Sequence, residues 1–100
     1  MVFKVQVLLQ AQREIDEAIA YYEEISPSIP KKFIEELSST YHTLSKNPYY
    51  QKRYLNFRGL PLKRFPFILF FDLNETQQII KIISCFHSSK NPTNYLKKLR

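Results

Sequence analysis

Arg64-Phe65-Pro66-Phe67-Ile68-Leu69-Phe70-Phe71 is the stretch on which the fold turns. After the proline, five apolar side chains follow without a polar break. In a strand they divide between two faces, Phe67, Leu69 and Phe71 on one and Ile68 and Phe70 on the other. Ile79-Ile80-Lys81-Ile82-Ile83 has the same character, with Asn74-Glu75 turning the chain between the two. These segments are expected to be the central strands of a sheet that is covered on both faces.

Outward from them the period of the apolar residues changes twice. Phe3, Val5 and Val7 alternate with Lys4 and Gln6, which predicts an N-terminal strand. From about Gln10, Ala11, Ile15, Ala18, Ile19, Tyr22 and Ile25 fall at helical spacing, with Glu14, Asp16, Glu17, Glu23 and Glu24 assigned to the solvated arc. Ser26-Pro27-Ser28-Ile29-Pro30 ends that helix and starts another, with a serine placed to cap its free amides. Phe33, Leu37, Tyr41 and Leu44 carry the second helix to Asn47-Pro48. Beyond it, Tyr54 to Phe57 and Leu60 to Leu62 alternate as half-exposed strands, with a turn expected over Asn56 to Gly59. Asn94 to Arg100 is left as a terminal basic helix or a frayed end.

The predicted fold class is α+β, one domain over residues 1–100. An antiparallel sheet of about four strands, plus the N-terminal strand, carries a helical hairpin on one face. A hairpin covers only one face of such a sheet. The other needs a cover, either the terminal segment around Tyr95 and Leu96 or a partner chain.

Composition excludes several classes of function. With 44% hydrophobic and 24% charged residues the chain is globular rather than disordered. The single cysteine, Cys85, forms no internal disulfide and builds no Cys-rich zinc site, and it reads as a small core residue. The single glycine, Gly59, rules out the glycine-rich phosphate and dinucleotide loops, so no cofactor or metal is expected. No apolar run approaches the roughly 18 to 20 residues that span a bilayer, and no export segment opens the chain, so a cytoplasmic protein without membrane attachment is expected. The net charge of +6 is unevenly placed: residues 1–47 sum to −2 and residues 48–100 to +8. An excess of that kind favours an anionic or acidic partner.

Four stretches together resemble the RelE/ParE superfamily of bacterial toxins, and its ParE-like branch in particular. They are Ala11, Ala18 and Tyr21-Tyr22-Glu23 on the first helix, and Phe33, Leu37 and Leu44 running to Asn47-Pro48 on the second. The others are Arg64-Phe65-Pro66-Phe67 with its apolar strand, like the branch's R-F-P-Y, and His87-x-x-Lys90-x-Pro92-x-x-Tyr95, like its H-x-x-R-x-P-x-x-W. The resemblance implies a β-α-α-β-β-β fold and the toxin of a type II toxin–antitoxin pair. The antitoxin would be acidic and partly disordered, and would fold over the toxin as a hetero-oligomer. In RelE-like relatives the target is messenger RNA on the ribosome, in ParE-like relatives DNA gyrase.

Metal-free RNA cleavage needs a base, an acid and cations around the phosphate, and the basic half offers His87 as acid or base, Tyr95 as proton donor, and Arg64, Lys90 and Arg53 as phosphate ligands. The RelE-like enzymes place an arginine on the central strand where this chain has Ile68, so that set is incomplete. His87 then reads as a hydrogen-bonded residue at a strand end and Tyr95 as an anchor of the C-terminal segment. The leading expectation is a non-enzymatic toxin, with a target- or antitoxin-binding surface formed by Arg53, Arg58, Lys63, Arg64, Lys90, Lys97, Lys98 and Arg100. A binding module that has lost its target is the remaining alternative.

Overall fold

The computed structural model describes residues 2–89. Lys90, Pro92, Tyr95, Leu96, Lys97, Lys98 and Arg100, with the expected terminal helix, lie outside the described residues. The elements run β1 (Lys4–Val7), α1 (Leu9–Ile25), α2 (Ile29–Lys46), β2 (Lys52–Tyr54), β3 (Phe57–Pro61), β4 (Phe67–Asn74) and β5 (Ile79–His87). They form one five-stranded sheet in the order β1-β5-β4-β3-β2, with both helices between β1 and β2, the expected α+β fold class. The sheet is mixed. β2 to β5 form an antiparallel meander, while β1 joins as a parallel edge on β5, Lys4 opposite Ile79 and Val7 opposite Ile82. The helical hairpin carries the chain from β1 at one edge of the sheet to β2 at the other.

Each helix buries one stripe against the sheet: Ala11, Ile15 and Ala18 from α1, Phe33, Leu37 and Leu44 from α2. The two alanines, 0% and 6% exposed, let α1 lie close to the strands beneath it. Ser28 does not cap α2 as the sequence suggests. Its backbone is already helical (φ −83°, ψ −21°), whereas a capping residue is extended, and its hydroxyl lies 3.1 Å from that of Ser26. Pro30, in the first turn, has no N–H to be capped.

The expected turn over Asn56 to Gly59 falls earlier, at Leu55-Asn56, where Leu55 takes φ 53°. Phe57 to Gly59 are instead drawn into the ladder, Arg58 pairing with Phe71 and Gly59 with Phe70. Between β4 and β5 the register slips once. Leu69 faces Cys85 and Phe70 faces Ser84, but Phe71 faces Ile82, so Ile83 is the extra residue of a bulge. The bulge lets Ile82 and Cys85, three residues apart, share the helix-side core with Leu69 and Phe71. On the other face of β4, Phe70 and Phe86 form a second cluster with Tyr54, Phe57 and Ile68, so both faces of the strand are apolar, as its sequence requires.

Candidate partner-binding surface

Of the expected basic residues, the four that are described, Arg53, Arg58, Lys63 and Arg64, fall on the half of the sheet built from β2, β3 and the β3–β4 turn, and the three arginines among them are tied to their own fold. Arg53 donates from Nε to the Gly59 carbonyl at 3.2 Å. Arg58 donates from a terminal nitrogen to the Tyr50 carbonyl at 2.8 Å, with its guanidinium carbon 5.8 Å from the centre of the Tyr49 ring. Lys63 and Arg64 form the turn before β4, and here the decisive partner is an acid that sequence reasoning left unassigned. The Glu36 carboxylate, on the buried side of α2, accepts the Lys63 amide at 2.6 Å and the Arg64 amide at 3.2 Å. It also pairs with Arg64 Nε at 3.2 Å. Glu36 is 7% exposed and the Arg64 side chain 63%, so the acid is a buried anchor and the arginine an oriented surface group.

His87 closes β5. Its ring meets Phe67 edge-on at 5.1 Å, and its Nδ1 accepts the Ser89 amide at 3.2 Å, with the Ser89 hydroxyl 2.7 Å from the same nitrogen. His87 lines a recess of about 530 Å³ between α1 and the end of β5, with Glu14, Glu17, Tyr21 and Phe67. Arg64 lines a different one, of about 410 Å³ at the looped end of the helical hairpin, with Tyr22, Ile29, Lys32, Phe65 and Pro66. Of the residues offered for nuclease chemistry, His87 and Arg64 therefore open onto separate recesses, and Lys90 and Tyr95 lie outside the described residues.

Glu14 corrects the expectation that all the acids of α1 are solvated. Its Oε1 accepts the Ser84 hydroxyl at 2.9 Å and the Cys85 amide at 3.1 Å, pinning α1 to the bulge of β5. Both missed acids have a signal in the sequence. Glu14 lies three residues after Ala11 and four before Ala18, and Glu36 lies three after Phe33, so each sits in phase with the buried stripe of its helix. Cys85 is buried, and burial, reinforced by the nearby Glu14 carboxylate, pushes its thiol up to about 12. It is a core side chain and not a nucleophile. Burial likewise raises the Tyr41 hydroxyl to about 12. Among the described residues no three His, Cys, Asp or Glu side chains are grouped to hold a metal ion, and no helix is long and apolar enough to cross a membrane.

Comparison with known proteins agrees with this architecture. No curated protein sequence matches the chain. Among solved structures, the chromosomal ParDE toxin–antitoxin system from P. aeruginosa is similar with a TM-score of 0.74 at 18% identity, over 86% of this chain and 96% of that one. The toxin–antitoxin complex RelBE2 from Mycobacterium tuberculosis is similar with a TM-score of 0.56 at 15% identity, over 87% and 99%. At those identities the likeness establishes the fold. The family model described as the ParE toxin of the type II toxin–antitoxin system parDE matches residues 5–92, and with that match across nearly the whole domain the chain belongs to the ParE toxin family.

Proposed function

We propose that the protein is the toxin of a type II pair that acts in the cytoplasm by binding and inhibiting a cellular target, DNA gyrase first, and that a cognate acidic antitoxin neutralises it. The observation that carries this reading is Ile68. Where the RelE-like resemblance calls for an arginine on the central strand, this chain has an apolar side chain packed with Phe70 and Phe86. The separate recesses of His87 and Arg64, and the engagement of Arg53, Arg58 and Arg64 by their own backbone and by Glu36, add support for binding over cleavage. An antitoxin partner is supported by the similar structures, one from a toxin–antitoxin system and one a toxin–antitoxin complex. The surface proposed for target or antitoxin comprises Arg53, Arg58, Lys63 and Arg64, extended by Lys90, Lys97, Lys98 and Arg100 of the terminal sequence.

The test sets two purified systems side by side. The protein is expected to inhibit gyrase supercoiling and to leave messenger RNA intact on translating ribosomes. Ribosome-dependent cleavage that disappears in Arg64→Ala or His87→Ala would replace this reading with the nuclease one. Expression without antitoxin is expected to arrest growth; a chain that leaves growth untouched is a relic.

A further inference from the structure

The Arg64 guanidinium is more constrained than its exposure suggests. Its Nε is held by Glu36, and the Glu36 carboxylate is itself held by the backbone amides of Lys63 and Arg64. The two terminal nitrogens have no hydrogen-bond partner among the described residues. An arginine fixed at its stem has already given up part of the rotamer freedom that binding would otherwise take from it, and its terminal N–H groups form a fork that matches a carboxylate. Beside it lies the recess of about 410 Å³. Its lining is of two kinds: Tyr22, Ile29, Phe65 and Pro66 are apolar or aromatic, while Lys32 is a second cation. Lys32 is exposed, and the one ion pair among the described residues is that of Arg64 with Glu36.

We infer that this recess receives a glutamate or aspartate side chain flanked by an apolar residue on a partner protein. The Arg64 fork takes the carboxylate, Lys32 adds charge at the rim, and the Tyr22, Ile29, Phe65 and Pro66 surface takes the neighbouring apolar group. The inference rests on the reading above, in which the partner is an acidic antitoxin, and assigns the contact that would recognise it. A peptide fits better than a nucleic acid because the aromatic rings here are used against one another. Tyr22 meets Phe65 edge-on at 5.4 Å, and Phe65 meets Phe33 edge-on at 5.1 Å, so they offer no parallel platform for bases.

The test is an NMR titration of the full chain with two peptides that differ in one charge, acetyl-Leu-Glu-Phe-amide and acetyl-Leu-Gln-Phe-amide. The Glu peptide is expected to give saturable shifts of the Arg64 Nε–H and of the Tyr22, Lys32 and Phe65 amides, and to bind about tenfold more tightly than the Gln peptide. Arg64→Gln is expected to abolish that preference. Arg64→Lys, which keeps the charge and loses the fork, is expected to fall between, with the fold verified by the remaining amides. Equal binding of the two peptides, shifts centred on Arg53 and Arg58 instead, or a short RNA oligonucleotide moving the same resonances at lower concentration would each overturn the inference. Neither gyrase nor antitoxin enters the titration, so its failure leaves the target assignment standing, and a negative gyrase result leaves the titration valid.

Discussion

The Cβ that Gly59 lacks would lie 2.5 Å from Cδ of Arg53, whose side chain crosses β3 at that point to reach the Gly59 carbonyl. Gly59 has no positive φ, so glycine is required here for space and not for backbone conformation. Gly59→Ala is expected to displace the arginine stem and cost about 1–2 kcal/mol. In an Arg53→Ala background the same change is expected to be neutral or mildly stabilising, because alanine restricts the unfolded chain. Urea unfolding of the four proteins of this cycle measures the coupling; a penalty that persists without the arginine would mean that something other than this contact excludes the methyl group.

The clamp of Glu36 on the β3–β4 turn makes a graded prediction. Glu36→Ala leaves two amides of the turn without an acceptor and is expected to cost about 2–4 kcal/mol. Glu36→Gln retains one oxygen acceptor and is expected to cost about half as much. Arg64→Ala removes only the exposed arm of the ion pair and is expected to cost less than about 1 kcal/mol. If Arg64→Ala proves the most damaging of the three in urea unfolding, the ion pair and not the backbone contacts holds the turn.

These two contacts mark where the sequence was and was not legible. The helices and the paired apolar strands follow from local periods, because the same residues that set the period are the ones buried, as Ala11, Phe33, Leu69 and Ile80 show at 0% exposure. The early turn at Leu55-Asn56, the parallel seat of β1 and the bulge at Ile83 depend on which strands meet, which no local period records. The candidate site divides the same way. The position of the basic residues near β2, β3 and the turn is visible as charge, but their partners are backbone carbonyls and an acid 28 residues away, contacts made only by the fold. Glu14 and Glu36 stand in helical phase with apolar neighbours, and an acid in that phase signals a buried carboxylate with amide or hydroxyl donors waiting for it.

Glu14 makes the corresponding contact on the other helix. Because its Oε1 takes both the Ser84 hydroxyl and the Cys85 amide, Glu14→Ala is expected to cost about 2 kcal/mol and Ser84→Ala about 1. The amide of Cys85 is also expected to exchange its hydrogen faster in Glu14→Ala than in the parent, while amides in the β3–β4 pairing stay as protected as before. An unchanged Cys85 amide would show that β5 holds its bulge without help from α1.

Cys85 sets the behaviour of the fold in alkali. Its thiol titrates near 9.0 when unhindered and is pushed up to about 12 in the folded chain, first by burial and then by Glu14. Because the folded value is the higher one, the unfolded chain loses its proton first as pH rises. The contribution of this group is intact below about pH 9 and is lost at about 1.4 kcal/mol per pH unit between the two values. Tyr41, raised to about 12 by burial, acts in the same direction from about pH 10 upward. Stability in urea is therefore expected to fall between pH 9 and pH 10 in the parent, and to fall less in Cys85→Ala, which has a lower but flatter baseline because it leaves a small void. At pH 8 the native thiol is expected to resist iodoacetamide until denaturant is added. Rapid alkylation of the folded chain, or the same alkaline slope in Cys85→Ala, would show that the thiolate forms in the native core at no cost.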